Sequence, residues 1–339
     1  MGNTQKYCFN NFLQADPIQH GLPSFAYTDD GFFKLEAEKL FADSWVFSGF
    51  AHSLSQAGDV MPVDVAGQPV LLVRSVDDEI NAFQNVCRHR CAKLVESAGN
   101  VGRMMTCPYH AWVYGLDGGL RIAPFFGGRQ NRPPEGFDLK QHGLIPVRCH
   151  VWHDWIFVNL NDNAGDFEDF VAPLAARLDD IDLANLALVG VLEFGEVETN
   201  WKFLMENFME PYHVPVVHPR TTDQPLANHK TFIDGRCLGS IVDMVDDADK
   251  ATQSDNLNVS SRYLTLFPSF VLGRYFPDQL GVYLNEPVAP GITRQYRAIY
   301  LTNGEQPSVE TAEHLKKLWY DVHKEDHGVC ERLDRKSVV

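Results

Sequence analysis

Apolar and polar residues follow several different patterns along this chain. Residues 30–43, DGFFKLEAEKLFAD, place apolar side chains at helical spacing, with Phe33, Leu40 and Phe41 roughly on one face. From about residue 45 to 160 alternating patterns predict β-strands, two of them joined by a tight turn at Ala66-Gly67. This stretch therefore predicts a small all-β domain.

The pattern becomes mixed after residue 161. DFEDFVAPLAARLDD predicts an amphipathic helix, ALVGVLEFGEVET a strand, and residues 308–334 a long helix. Asn200 can cap a helix that reaches Met209, and prolines at 211, 215 and 219 prevent its continuation. The prediction is an α+β fold: the β domain at 45–160, and a larger domain, 1–44 with 161–339, whose antiparallel sheet is flanked by helices.

Composition excludes several classes of function. The 339 residues include 29 Lys and Arg against 45 Asp and Glu, a formal net charge of −16. Such a surface repels phosphate backbones and anionic lipid, so neither a nucleic acid nor a membrane is an expected partner. The first residues, MGNTQKYCFN, lack an apolar signal core, which predicts a cytoplasmic protein. Its seven cysteines are then expected to be reduced thiols or metal ligands.

Two Cys/His pairs form the first chemical constellation. Cys87-x-His89 is separated by seventeen residues from Cys107-x-x-His110. Two thiolates and two imidazoles suit either a structural zinc ion or a Rieske [2Fe–2S] cluster. Zinc knuckles usually pair Cys with Cys and His with His, whereas here each loop supplies one of each, which favours the cluster. Cys91 has no counterpart in the second loop, so it is expected to be a buried thiol.

The second constellation lies in WKFLMENFMEPYHVPVVHPR. His213 and His218 are five residues apart and would not share a face of a regular helix, but the intervening prolines can bring them together. Two histidines and a carboxylate form the facial triad of non-haem Fe(II) enzymes. Four residues are candidates for the carboxylate: Glu210, Asp321, Glu325 and Asp326.

The two constellations in this order resemble the catalytic α subunit of the Rieske non-haem iron oxygenases, from about residue 25 to 334. ENFMEPYHVPVVHP is similar to the mononuclear-iron signature of that family. The resemblance implies a [2Fe–2S] cluster on Cys87, His89, Cys107 and His110, and Fe(II) on His213, His218 and Asp326. It makes Asn207 a neighbour of the iron and Glu210 an acid that bridges His213 to His110 of a neighbouring subunit. A head-to-tail homotrimer is implied as well, because cluster and iron within one subunit of these enzymes are too distant for electron transfer.

The implied activity is hydroxylation of a small organic molecule with O2. No GxGxxG fingerprint is present, so electrons are expected from a separate NAD(P)H-dependent reductase that carries flavin or an iron–sulfur centre. The segment LPSFAYTDDGFFKLEAEKLFADSWVFSGF is similar to the betaine- and carnitine-type branch, which favours oxidation or N-demethylation of a quaternary ammonium compound. Alternatives are an aromatic-ring dioxygenase or aryl demethylase, a Rieske electron carrier, and a zinc-stabilised binding protein.

Aromatic side chains are the candidates for the substrate pocket, because aromatic rings can cage a quaternary cation or stack on a ring. The candidates are Tyr263, Phe267, Phe270, Tyr275 and Phe276.

Overall fold

The chain folds into two compact units, one of residues 41–167 and the other of residues 1–40 with 168–339. The structure is a computed structural model that describes residues 7, 21–128, 133–161, 163–219, 226–243, 260–275 and 277–336. The domain limits predicted from the sequence, 45 and 160, lie inside the first unit.

Residues 41–167 form two antiparallel sheets. The strands are β1 (Val46–Phe50), β2 (Asp59–Val65), β3 (Gln68–Arg74), β4 (Ile80–Gln84), β5 (Gly99–Asn100), β6 (Met104–Thr106), β7 (Val113–Gly115), β8 (Leu120–Ile122), β9 (Pro146–Trp152) and β10 (Trp155–Asn159). The larger sheet has the order β1-β10-β9-β4-β3-β2-β5, and the smaller has the order β6-β7-β8. Ala66 and Gly67 join β2 to β3 with positive φ angles of 51° and 86°, the tight hairpin turn that the sequence predicts.

The second unit is built on a seven-stranded antiparallel sheet of order β11-β17-β16-β15-β14-β13-β12. Its strands are β11 (Ala187–Val197), β12 (His229–Asp234), β13 (Cys237–Asp243), β14 (Ser260–Leu266), β15 (Phe270–Tyr275), β16 (Gln279–Ala289) and β17 (Ile292–Leu301). The α-helices in the described ranges are α1 (Phe25–Thr28), α2 (Asp30–Glu36), α3 (Phe167–Ala175), α4 (Trp201–Met209), α5 (Val214–Val217) and α6 (Val309–Lys336). The predicted α+β class and the antiparallel sheet are confirmed. No helix in the described ranges is long and apolar enough to cross a membrane.

Two short segments fix the start and the end of α4. The side chain of Asn200 accepts a hydrogen bond from the N–H of Lys202 at 3.0 Å, which is the predicted N-cap. Its Nδ2 also donates to the carbonyls of Tyr27 and Pro290, at 2.9 and 2.7 Å, and so ties the helix to its surroundings. The helix ends at Met209, and the proline-rich segment that follows forms only the single turn α5.

Helix α6 packs beside α4, and one contact ties the segment before α4 to it. The Oγ1 of Thr199 donates to the carbonyl of Cys330 at 3.1 Å, and both groups are buried. Because α6 is continuous from Val309 to Lys336, this contact also positions Glu325 and Asp326, which lie about one turn before Cys330. The end of α4, the turn α5 and the middle of α6 thus come together beside the sheet.

Candidate metal centres

The two loops that carry the Cys/His pairs have the same backbone design. In each loop the N–H of the first cysteine, Cys87 or Cys107, bonds at 2.8 Å to the carbonyl five residues later. The N–H four residues later, that of Cys91 or Ala111, returns to the same cysteine's carbonyl at 3.0 Å. Cys91 and Ala111 both have positive φ angles, 56° and 54°, which close the two turns. Both loops therefore present their ligands from matched, backbone-braced turns.

The four predicted cluster ligands lie together at these loops. The thiols of Cys87 and Cys107 are buried, and the rings of His89 and His110 are 4.7 Å apart. The Nδ1 atom of His89 is buried and has no hydrogen-bond partner among the described residues. Two buried thiols and an orphaned imidazole nitrogen fit a group that accepts two sulfur and two nitrogen donors, as a Rieske cluster does. Their assignment as ligands stays a prediction.

Cys91 is exposed, so the expectation of a buried thiol is wrong. The residue occupies the turn of its loop at positive φ, and its side chain is exposed there while that of Cys87 is buried. Cysteine count and spacing carry no information about this orientation.

Tyr114 contacts the cluster site from the neighbouring strand β7. Its hydroxyl oxygen accepts the N–H of Arg88 at 3.0 Å and lies 3.2 Å from the Sγ of Cys87. Because that oxygen already accepts from Arg88, its own hydrogen is free to point at the sulfur. Burial, together with the hydrogen bond to Cys87, raises the pKa of Tyr114, so the hydroxyl stays protonated and able to donate.

Replacing Tyr114 with phenylalanine is expected to lower the reduction potential of the cluster. A hydrogen bond to a ligand sulfur stabilises the electron-richer, reduced state. Loss of one such bond, about 1 kcal/mol, corresponds to on the order of 40 mV for one electron. A spectroelectrochemical titration measures the shift, with Tyr109→Phe as the control because Tyr109 is exposed and packs on His110. An unchanged potential in Tyr114→Phe would contradict the role given to this hydroxyl.

His213, His218 and Asp326 form a second cluster in the other unit. One potential ligand atom from each lies within 4.8 Å of the others. The Oδ1 of Asp326 is 2.9 Å from the Nε2 of His218 and 3.6 Å from the Nε2 of His213. Two imidazoles and one carboxylate converging on a point fit an Fe(II) ion of the facial-triad type. Their role as ligands, like that of the Rieske residues, stays a prediction.

Each of these three residues is held by a further side chain. Glu210 Oε1 lies 2.6 Å from Nδ1 of His213, and Asn207 Nδ2 donates to Asp326 Oδ1 at 3.0 Å. Glu325 Oε2 lies 2.7 Å from Nδ1 of His218. With Nδ1 donating to a carboxylate, each imidazole turns Nε2 toward the metal position, the usual arrangement behind metal-binding histidines.

The sequence did not reveal that Glu325 lies behind His218 and contacts its Nδ1 atom. It was one of four candidate carboxylates for the metal, but it supports His218 from behind while its neighbour Asp326 faces the ligand cluster. Asp321, another candidate, pairs instead with Lys317 at 2.6 Å on the surface of α6. Adjacent residues on a helix point about 100° apart, so one position on α6 can reach the metal side and the next the rear of the histidine.

The charges around His218 favour its protonated form when no cation is present. Burial opposes the charge, but hydrogen bonds and charge from Asp326 and Glu325 outweigh it and raise the pKa of His218. A cation bound at Nε2 must displace that proton, so metal affinity is expected to fall as the pH falls.

Glu325→Ala is expected to weaken iron binding about 10- to 100-fold, the usual cost of losing a carboxylate behind a metal-binding histidine. Asp326→Ala removes a ligand atom and is expected to lose the mononuclear iron altogether. Iron titration of the apoprotein measures both, and Asp321→Ala on the same helix serves as the control. Equal iron loss in Glu325→Ala and Asp326→Ala would contradict the distinction between them.

A cavity of about 260 Å³ opens beside the His/His/Asp cluster. Asn207 also lines it. The other aromatic and polar lining side chains come from β14–β17, α4 and α6. They are Phe208, Tyr263, Tyr275, Gln279, Tyr283, Asn285, Gln295, Trp319, His323 and His327. Tyr263 and Tyr275 are thus in the wall, as the sequence suggested. Phe267 and Phe270 are not among the lining residues, and Phe276 lies outside the described residues.

Two models of known families match the chain. One, the catalytic domain of the ring-hydroxylating alpha subunit, matches residues 167–336, half of the chain, which carry the His/His/Asp cluster. This chain belongs to the ring-hydroxylating alpha-subunit family. The other model, the Rieske [2Fe–2S] domain, matches residues 44–132, which carry both Cys/His loops. The cofactors of the family's two domains are the [2Fe–2S] cluster and the mononuclear iron expected from the sequence.

Relatives within the family include enzymes of quaternary ammonium metabolism. The carnitine monooxygenase oxygenase subunit of Acinetobacter baumannii is 32% identical over 220 residues, 63% of this chain and 56% of that protein. The glycine betaine monooxygenase oxygenase subunit of Pseudomonas aeruginosa is 32% identical over 210 residues, 62% of this chain and 47% of that protein. The chain spans about half the length of these curated relatives.

A solved structure of a quaternary ammonium Rieske monooxygenase has the same fold as this chain. The match has a TM-score of 0.80 at 25% identity and covers 95% of this chain and 87% of that one. That structure is described in terms of carnitine oxidation and inter-subunit electron transfer.

Proposed function

We propose that this chain is the oxygenase component of a Rieske monooxygenase that oxidises or N-demethylates a small quaternary ammonium compound of betaine or carnitine type. One observation carries the proposal: the His213/His218/Asp326 cluster faces an aromatic-lined cavity of about 260 Å³. A facial triad leaves positions open for O2, and the cavity places a small substrate next to them. The relatives' carnitine and glycine betaine activities support this substrate class.

The protein's own residues prepare both centres for this chemistry. Cys87, His89, Cys107 and His110 would hold the cluster, and His213, His218 and Asp326 would hold the iron. When bound, the two groups supply single electrons and O2 activation. Glu210, Glu325 and Asn207 fix the orientation of the ligands, so that little reorganisation is needed during the reaction.

Electrons are proposed to come from a separate NAD(P)H-dependent reductase and to pass between copies of the chain in a homotrimer. Support for contact between copies comes from apolar side chains exposed close to both centres. Tyr109, next to His110, is 59% exposed, while Tyr212 and Val216, next to Glu210 and His213, are 82% and 81% exposed. Exposed aromatic and aliphatic side chains of this kind are typical of interfaces.

A substrate panel with a surrogate reductase tests the proposal. Carnitine, glycine betaine and choline are compared with aromatic hydrocarbons and aryl methyl ethers, while O2 uptake, formaldehyde and hydroxylated products are measured. Formaldehyde or a hydroxylated product from a quaternary ammonium compound supports the proposal. Turnover of aromatic compounds only would assign the chain to the ring-hydroxylating or aryl-demethylating alternative. Cluster reduction without any substrate-dependent O2 uptake would instead indicate an electron carrier.

A further inference from the structure

Arg297 lies behind the aromatic wall of the cavity and is fully buried. It sits on β17 directly opposite Tyr283 of β16, with its side chain on the face that packs against α6. The guanidinium carbon is 3.6 Å from the ring centre of Trp319, 4.8 Å from that of Tyr283 and 5.2 Å from that of Tyr275. All three rings line the cavity, so a protein cation already interacts with the aromatic wall.

The charge of Arg297 is not balanced by any carboxylate in the described part of the chain. None of its three side-chain nitrogens makes a hydrogen bond of good geometry there, and its charge acts on the nearby hydroxyl of Tyr275. Arg262, which is also buried, shows the usual alternative, because its Nη2 donates to Asp180 at 2.8 Å. A buried, unpaired guanidinium is costly, and stacking on aromatic rings recovers only part of that cost. Arg297 therefore places a buried positive charge behind this wall of a cavity whose lining also carries the carboxylate of Asp326.

His323 on α6 lines the same side of the cavity and is also without polar partners. The residue is 4% exposed, and neither ring nitrogen has a hydrogen-bond partner among the described residues. Its ring is stacked between Phe194 and Tyr283, at centre distances of 4.8 and 5.0 Å. Burial, aided by the charge of Arg297, lowers the pKa of His323 well below its usual value, so the ring is neutral and adds no charge beside Arg297.

We infer that the buried charge of Arg297 makes the aromatic wall in front of it the side of the cavity that receives the carboxylate of a zwitterionic substrate. Arg297 acts through space as a positioning residue, because the potential of its buried charge reaches the cavity through the aromatic rings. The same potential disfavours a quaternary ammonium group against Trp319, Tyr275 and Tyr283. The ammonium end is thereby directed to the side of Phe208, next to Asn207 and the iron ligands. This inference deepens the proposed function and rests on it for the identity of the cationic end.

Four small molecules of similar shape separate the contribution of the ammonium group to binding from that of the carboxylate. Glycine betaine carries both the ammonium and the carboxylate, and choline carries the ammonium with an alcohol. Their tert-butyl analogues, in which carbon replaces the quaternary nitrogen, carry the carboxylate or the alcohol alone. Dissociation constants are measured by calorimetry on the metal-loaded, anaerobic protein, for the wild type and for Arg297→Met. Arg294→Met is the matched control, because Arg294 lies on the same strand but is partly exposed and pairs with Glu196 and Glu286.

The wild type is expected to bind both carboxylates more tightly than the corresponding alcohols. Arg297→Met should weaken both carboxylates on the order of tenfold and leave both alcohols unchanged, since one charge at this range is removed. Methionine has similar length and no charge, so folding is expected to survive. Arg297→Gln, which also removes the charge, should show the same carboxylate-selective loss if Arg297→Met does not fold.

Two results would overturn the inference. One is the absence of any carboxylate preference in the wild type, and the other is an equal loss for carboxylates and alcohols in both variants. The preference for an ammonium group is measured separately, by comparing the dissociation constants of glycine betaine and choline with those of their tert-butyl analogues. Failure of the proposed function would erase that difference while leaving the effect of Arg297 on carboxylates measurable.

Discussion

His218→Ala is expected to abolish turnover while leaving the visible spectrum of the [2Fe–2S] cluster unchanged. His218 is 4% exposed, and its Nε2 is 2.9 Å from Asp326 within the facial-triad cluster, so alanine removes one of three converging ligands. The fall should exceed the roughly 10- to 100-fold that is typical when only a group behind a ligand is lost. The predicted cluster ligands lie in a separate compact unit, so their coordination should not change. Iron and sulfide analysis measures the metal content, absorption spectra report the state of the cluster, and product formation measures turnover.

His213→Ala is expected to behave like His218→Ala, and a surface histidine provides the control. His314 lies on α6 and is exposed, so His314→Ala should keep both iron and turnover. Bleaching of the cluster in His218→Ala or His213→Ala would contradict the assignment of two separate metal centres. Full turnover in either variant would contradict the role of the triad.

The parts of this structure that the sequence predicted are those determined by local chemistry. Asn200 caps α4 because its side chain reaches an N–H only two residues away. Ala66-Gly67 forms the β2–β3 turn because a two-residue hairpin requires positive φ angles. The His213/His218 pair converges because the proline-rich segment limits α5 to one turn. Each of these signals is contained within a few residues.

The parts that the sequence did not predict depend on contacts between distant segments. Glu325 and Asp326 are neighbours in the chain, and only the packing of α6 against α5 decides which one meets Nδ1 and which one Nε2 of His218. Arg297 lies on the inward face of β17, where the alternation of the strand gives no reason to expect a charge. Trp319 and His323 are spaced four apart on α6, a pattern that indicates one helix face but not what that face encloses.

Glu210→Gln is expected to reduce turnover by more than about 100-fold while both metal centres remain loaded. Glu210 holds Nδ1 of His213 through Oε1 and accepts the N–H of Tyr212 at 2.6 Å through Oε2, yet 45% of its side chain is exposed. That exposure leaves the carboxylate accessible to a neighbouring copy of the chain, in keeping with a bridge to His110. Glutamine keeps the size and one acceptor, so His213 should stay in place, but the charge and the second acceptor are lost.

Glu325→Gln is the control that separates a bridge from a simple support. Glu210 and Glu325 hold the Nδ1 atoms of the two metal-binding imidazoles at nearly equal distances, 2.6 and 2.7 Å, so the same substitution removes the same support from each. Reoxidation of the pre-reduced cluster, in a single turnover with substrate and O2, reports electron delivery. It should be slowed strongly in Glu210→Gln and little in Glu325→Gln. Equal reoxidation rates in the two variants would show that Glu210 only supports His213. Loss of mononuclear iron in Glu210→Gln would indicate instead that Glu210 is a metal ligand. Only a rate loss confined to Glu210→Gln, with iron retained, is the result that an electron-transfer bridge requires.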